Sequence, residues 1–148
     1  PMIKPGALWL DNRGRHIQAH GGGIIKLGDT WYWFGEDRSH PDHSIRYVSC
    51  YSSTDLIHWT FRNEILKQSD PENLGPGWVL ERPKVFFNPK TKKFVMYMHL
   101  DDSSYKLARV AVATCDTVDG NYQYVHSFRP LDHESREVAL ALARRFAV

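Results

Sequence analysis

Cysteine is scarce in this sequence, with only Cys50 and Cys115 among 148 residues. Both sit in apolar, strand-like runs, so they read as small buried hydrophobes; neither a disulfide framework nor a cysteine metal site is expected. Long hydrophobic runs are missing too: nothing approaches the roughly 18 apolar residues of a membrane span. The chain starts at Pro1 without a charged-then-apolar leader, and the expectation is either that a leader was removed or that this is part of a longer protein. Charge of one sign is not concentrated anywhere. The 19 basic and 17 acidic residues give a net +2 without long like-charged runs, so neither a nucleic acid nor an anionic membrane is an expected partner. No Gly-x-Ser-x-Gly elbow appears, which leaves a serine hydrolase without an anchor. Gly21-Gly22-Gly23 lacks the strand-before, helix-after setting of a phosphate loop and reads instead as a close-packed start to a strand.

Aromatic rings are abundant: five Trp, seven Tyr and seven Phe. Flat rings fill sheet cores or stack on the apolar faces of sugars, and the core reading is favoured on composition alone. With 42% hydrophobic and 24% charged residues, the chain has the make-up of one globular domain with a real core.

The order of residue types predicts strands. Gly23-Ile24-Ile25-Lys26-Leu27, a turn at Gly28-Asp29-Thr30 and Trp31-Tyr32-Trp33-Phe34 form a hairpin pattern. Residues 45–53 follow as a third strand, and His58-Trp59-Thr60-Phe61 as a short fourth after a turn at Thr54-Asp55-Leu56. The same grammar returns at residues 83–87, 93–100, 107–114 and 122–128. Ile24 matches Val85, Asp55 matches Asp116 and His20 matches Glu81, each displaced by 61 positions. A fixed period in an all-β pattern predicts propeller blades, joined here by the turn-rich stretch 68–78.

Residues 1–130 are therefore read as two blades. Residues 131–148 are read as the start of a third, opening at His133-Glu134-Ser135-Arg136-Glu137 and ending in a tail of helix-forming composition. Two blades and a stub would leave apolar faces and strand edges uncovered, so an incomplete or truncated chain is the expectation.

In a propeller the innermost strand of each blade lines the central channel, so residues opening those strands converge near the axis. Here they are His20, Glu81 and Glu137. Convergent carboxylates suit glycoside hydrolysis, in which one carboxylic acid protonates the leaving oxygen and a second group activates water or attacks the sugar. The plainer alternatives stay open: a local Glu81-Arg82 charge pair, with Pro83 fixing an extended start to its strand, and a solvated strand end at Glu36. His16, His20, His40 and His43 fit no compact ligand set, so no metal is expected.

Ala19-His20-Gly21-Gly22-Gly23, Tyr32-Trp33-Phe34-Gly35-Glu36, Ser52-Ser53-Thr54-Asp55-Leu56 with Trp59, Glu81-Arg82-Pro83-Lys84-Val85, and His99-Leu100-Asp101-Asp102 with Tyr105 together resemble the opening blades of glycoside hydrolase family 43, in its exo-β-1,3-galactanase branch. The likeness runs from about residue 15 to 137. It implies an all-β, five-bladed propeller that hydrolyses terminal sugars with inversion, releasing galactose from β-1,3-galactan. It also implies an extracellular protein, monomeric at full length, with a polysaccharide or oligosaccharide as partner and no cofactor; a channel-bound cation is not indicated. A β-xylosidase or α-L-arabinofuranosidase of the same family, or a non-catalytic carbohydrate-binding propeller, is the alternative.

By the same resemblance Glu36, Glu81 and Tyr105 match residues that hold the terminal sugar's hydroxyls, with His20 beside them. Glu137 stands where the family has an Asp that tunes the general acid; it keeps the charge but adds a methylene, displacing the carboxylate by about a bond length. His20-Gly21 lies near the usual general-base Asp, and no carboxylate stands there, a departure that the galactanase branch tolerates. The family's general-acid Glu belongs to a later blade, beyond Val148, so no acid is assigned within the chain.

Overall fold

The computed structural model describes residues 3–41, 47–67 and 74–130. Its eight strands are β1 (His20–Leu27), β2 (Thr30–Asp37), β3 (Tyr47–Ser53), β4 (Thr60–Leu66), β5 (Trp78–Asn88), β6 (Lys93–Asp102), β7 (Arg109–Cys115) and β8 (Gln123–Phe128). They form two four-stranded antiparallel meanders, β1-β2-β3-β4 and β5-β6-β7-β8. The two blades expected from the sequence are both present. Among the described residues no helix is long and apolar enough to cross a membrane.

Alternation along the strands decides which side chains meet. Phe34, Val48, Cys50 and Ile65 from the first sheet join Val85, Met96, Met98, Leu100, Ala111 and Ala113 from the second in one core, so the sheets pack face to face. Trp31, Trp33 and Tyr51, one residue out of phase, point the other way. There they pack with Trp9, Ile17, Ala19, Trp59 and Phe61 in a second cluster. The tryptophans of blade one are thus core material, as composition favoured. Among the described residues nothing comparable covers Phe86 of blade two, which is 57% exposed and meets Tyr97 edge-on.

The 61-residue period is a backbone fact. The β1–β2 ladder pairs His20 with Glu36 and then Gly23 with Phe34, a skip in which two residues of β1 face one of β2. The β5–β6 ladder pairs Glu81 with His99 and then Lys84 with Tyr97, with the same skip. Each is a β-bulge in the inner strand, at the start of β1 and four residues into β5, and each carries one left-handed residue, Gly21 (φ 56°) and Arg82 (φ 53°). Pro83 does not enforce a simply extended start, because the bulge takes Arg82 out of the β region.

Several strand boundaries differ from the sequence expectation: β5 already starts at Trp78 and β4 runs on to Leu66, while three starts are delayed because a backbone donor is claimed elsewhere, by a side chain at β4 and β7 and by a backbone carbonyl at β8. Asp55 accepts the N–H groups of Ile57 and His58, so the chain is still turning there and β4 begins only at Thr60. Asp101 accepts those of Leu107 and Ala108, which delays β7 to Arg109. Tyr122 donates its N–H to the Ile65 carbonyl in the other sheet instead of opening β8. Both cysteines are free, and burial pushes the Cys50 thiol well up, leaving it inert.

Candidate active site

Two inner strands lie side by side, and the site forms where their bulges meet. Glu36, at the end of β2, is only 2% exposed. Its Oε1 accepts the Arg82 backbone N–H from the other blade (2.9 Å), and its Oε2 accepts Arg38 Nε (3.1 Å) and Nη2 (2.5 Å). This is no solvated strand end: the carboxylate joins the blades. Gly21 makes the approach possible, since a Cβ there would stand 2.5 Å from Glu36 Oε1. Lys84 closes the seam by donating Nζ to the carbonyls of Gly21 and Gly22, both at 2.9 Å. Desolvation, reinforced by Arg82 and opposed by Glu36, holds the Lys84 ammonium below the usual lysine range.

Glu81, 8% exposed, does not pair with its neighbour Arg82. Its Oε1 accepts the Tyr105 hydroxyl (3.0 Å), and its Oε2 faces His99 Nδ1 (3.2 Å). The other ring nitrogen of His99 lies 3.0 Å from Asp101 Oδ2. Burial, followed by the bond to Glu81, raises the Tyr105 phenol, which keeps it a hydrogen donor. Arg38 and Glu36 also act on that phenol electrostatically, so blade-one and blade-two groups share one field.

His20 sits opposite Glu36 in the ladder and bonds Gln18 Oε1 through Nε2 (3.2 Å). Desolvation, then Arg38, lowers its pKa, which favours the neutral imidazole. Of the residues singled out from sequence, Glu36, Glu81, Tyr105 and His20 therefore gather around the two bulges, while Glu137 lies outside the described residues. Arg38, His99 and Asp101 carry the site equally and were assigned no role from sequence. Their signal was faint: His99 and Asp101 sit on one face of β6 by alternation, directly before a turn-forming Asp102-Ser103-Ser104.

A separate group, Asp37, His40 and Glu64, has ligand atoms within 4.8 Å of one another. His16 and His20, by contrast, meet each other with ring centroids 6.5 Å apart, and His43 lies outside the described residues. Protein partners already satisfy the Asp37 group. Asp37 accepts the hydroxyls of Ser39 (2.6 Å) and Ser49 (2.8 Å), and His40 bonds Glu64 at 3.0 Å while stacking on Tyr47.

No family model matches the chain, and no curated protein does; solved structures do. An exo-β-1,3-galactanase from Phanerochaete chrysosporium, solved with β-1,3-galactotriose and with galactose, shares 47% identity over 87% of this chain and 30% of that one, with a TM-score of 0.82. An exo-β-1,3-galactanase from Clostridium thermocellum shares 42% identity over 90% of this chain and 29% of that one (TM-score 0.81). A GH43 β-1,3-galactosidase solved with galactodeoxynojirimycin shares 38% over 91% and 43% (TM-score 0.79).

Over most of its length the chain is similar to enzymes of glycoside hydrolase family 43.

Its two sheets are blades of that family's propeller, and the chain spans less than half the length of each of these relatives. An arabinanase from Bacillus subtilis, 17% identical with a TM-score of 0.59, shares the fold alone.

Proposed function

We propose that the natural protein carrying this chain is a glycoside hydrolase that removes terminal galactose from β-1,3-galactan with inversion. The observation that carries this reading is the meeting of Glu36 and Glu81, two buried carboxylates from different blades, joined through the Arg82 backbone and edged by Tyr105. Sugar hydroxyls both donate and accept. Arg38 fills both lone pairs of Glu36 Oε2, but Glu36 Oε1 and both Glu81 oxygens each keep one after the contacts described above, so the pair can accept from hydroxyls, with Tyr105, Arg38 and His20 beside it to order the same ring. Relatives 34–47% identical are galactanases and galactosidases acting on β-1,3 linkages by name, which is the support for galactose as the sugar.

In this reading Glu36, Glu81, Tyr105 and His20 bind substrate. Glu137 tunes and orients a general acid supplied from another part of the propeller, and a polymeric substrate goes with a monomeric enzyme acting outside the cell. Inversion requires room for a water between acid and base, about 6.5–9.5 Å between the two groups in the usual case. The test is release from β-1,3-galactan, xylan and arabinan by the full natural protein, with the product anomer followed by NMR. Galactose released in the inverted configuration supports the proposal. Release of xylose or arabinose instead, or no release from any of the three, overturns it.

A further inference from the structure

Asp101 is the most enclosed carboxylate of the described residues, 1% exposed, and it touches nothing that the reading above uses for sugar binding. Its contacts nevertheless converge on that site. Oδ1 accepts the backbone N–H groups of Asp102 (2.9 Å) and Leu107 (3.0 Å); Oδ2 accepts the Ala108 N–H (3.0 Å) and faces His99 Nε2 (3.0 Å). Burial raises its pKa, but these bonds outweigh that and leave it lowered overall, so Asp101 is an ionised group that can only accept. His99 Nε2 must then carry a hydrogen.

Two consequences reach Glu81. With Nε2 fixed as a donor to Asp101, the ring presents Nδ1 to Glu81 Oε2 at 3.2 Å. Two lone pairs at that distance would repel, so one proton lies between them and ties Oε2 in place. Separately, two of the four Asp101 bonds, to Leu107 and Ala108, hold the loop between β6 and β7, in which Tyr105 (φ 55°) and Ala108 (φ 46°) are left-handed. That loop delivers the Tyr105 hydroxyl to Glu81 Oε1 at 3.0 Å. One buried carboxylate thus controls both oxygens of another, through a ring on one side and a loop on the other.

We propose that Asp101 and His99 are positioning residues that lock Glu81 as a singly oriented acceptor for a sugar hydroxyl. The proposal rests on the reading of Glu81 as a sugar ligand. A purely structural Asp101 would hold the loop and leave Glu81 indifferent to its removal. Blade one shows that the lock is not a by-product of the fold: His20 and Glu36 occupy the corresponding register positions, yet His20 bonds Gln18 and Glu36 is held by Arg38 and Arg82.

The test measures KM and kcat for β-1,3-galactan in the full natural protein with Asp101→Asn, His99→Phe and Glu81→Gln. It also takes a ¹⁵N spectrum of the His99 ring in the 148-residue chain. A hydroxyl ligand held loosely binds ground and transition states equally less well, so KM should rise about tenfold in Asp101→Asn and His99→Phe, roughly one charge-assisted hydrogen bond, while kcat stays within about twofold. Protein lost to misfolding would lower kcat and leave KM alone. His99→Phe keeps a ring in a position that is a quarter exposed, which guards against collapse of the Asp101 variant. The spectrum should show a proton on Nε2, lost or weakened in Asp101→Asn. Unchanged KM in both variants, or a ring protonated on Nδ1 alone, overturns the proposal even if galactan is cleaved. If Glu81→Gln also leaves KM unchanged, the sugar-binding role of Glu81 fails instead.

Discussion

The two blades use one backbone device with opposite side chains. At the bulge of blade one stands His20, with Glu36 across the ladder; at the bulge of blade two stands Glu81, with His99 across it. Acid and imidazole have traded places. Both arrangements leave one carboxylate per blade at the shared seam, but they hold it differently. Glu36 is pinned by a guanidinium and by the backbone of the other blade, and Glu81 by a phenol and an imidazole of its own blade. The left-handed residue at each bulge differs as well. Gly21 faces Glu36 with no space for a side chain, whereas Arg82 is exposed, with its Cγ beside Gly21, and reaches Glu36 through its N–H. Repetition supplies the geometry, then, and departures from repetition supply the chemistry.

The largest expected effect comes from making the bulges more alike at Gly21. Gly21→Ala forces an L residue into left-handed backbone and drives a Cβ against Glu36 Oε1. It should destabilise the chain by about 3 kcal/mol, combining the left-handed penalty with overpacking; urea unfolding of the 148-residue chain measures it. A loss under about 1 kcal/mol would mean that Glu36 does not need the close approach.

Acid should act on both blades through buried aspartates. Asp11 anchors the arm that covers blade one's tryptophans: it accepts the N–H groups of Arg13 and Arg15 and the Arg13 guanidinium. Burial raises its pKa, but these bonds outweigh that and leave it lowered, as at Asp101. A carboxyl whose folded pKa lies below its unfolded value gives stability that is fully present above the unfolded value, near 3.8. That stability disappears as pH falls through the folded one. Tryptophan fluorescence should therefore stay flat from neutral pH down to about pH 4 and change below it. Asp11→Asn should reduce neutral-pH stability by about 1–2 kcal/mol and flatten the acid limb. Stability that rises on acidification over that range would contradict this.

The smallest effect belongs to Arg82→Gly, which removes left-handed strain while keeping the N–H that Glu36 accepts. Strain relief and added unfolded-chain freedom oppose each other, so stability should move by less than about 1 kcal/mol in either direction. A larger loss in the same urea titration would show that the Arg82 side chain, and not only its backbone, holds the seam.

Much of this was legible beforehand. Turn residues between β-rich runs and the 61-residue offset located eight strands and two blades, because alternation and turn chemistry are local. The starts of β4, β7 and β8 were less legible. They depend on where Asp55, Asp101 and Tyr122 send their hydrogen bonds, and residue type does not encode that. Glu81 and His20 were found through the repeat, and Glu36 and Tyr105 through motifs resembling a family. Arg38, His99 and Asp101 escaped because their roles arise from packing between elements: a guanidinium folding back two residues, and a carboxylate aligned with a ring two residues before it.

The most direct measurement is galactose binding by the full natural protein, by calorimetry, for Glu36→Gln and Glu81→Gln. If carboxylates from both blades hold one sugar, each substitution weakens binding about tenfold or more, in line with a lost charge-assisted bond. Binding at the unsubstituted level by either variant, with the fold intact by circular dichroism, would contradict a shared site.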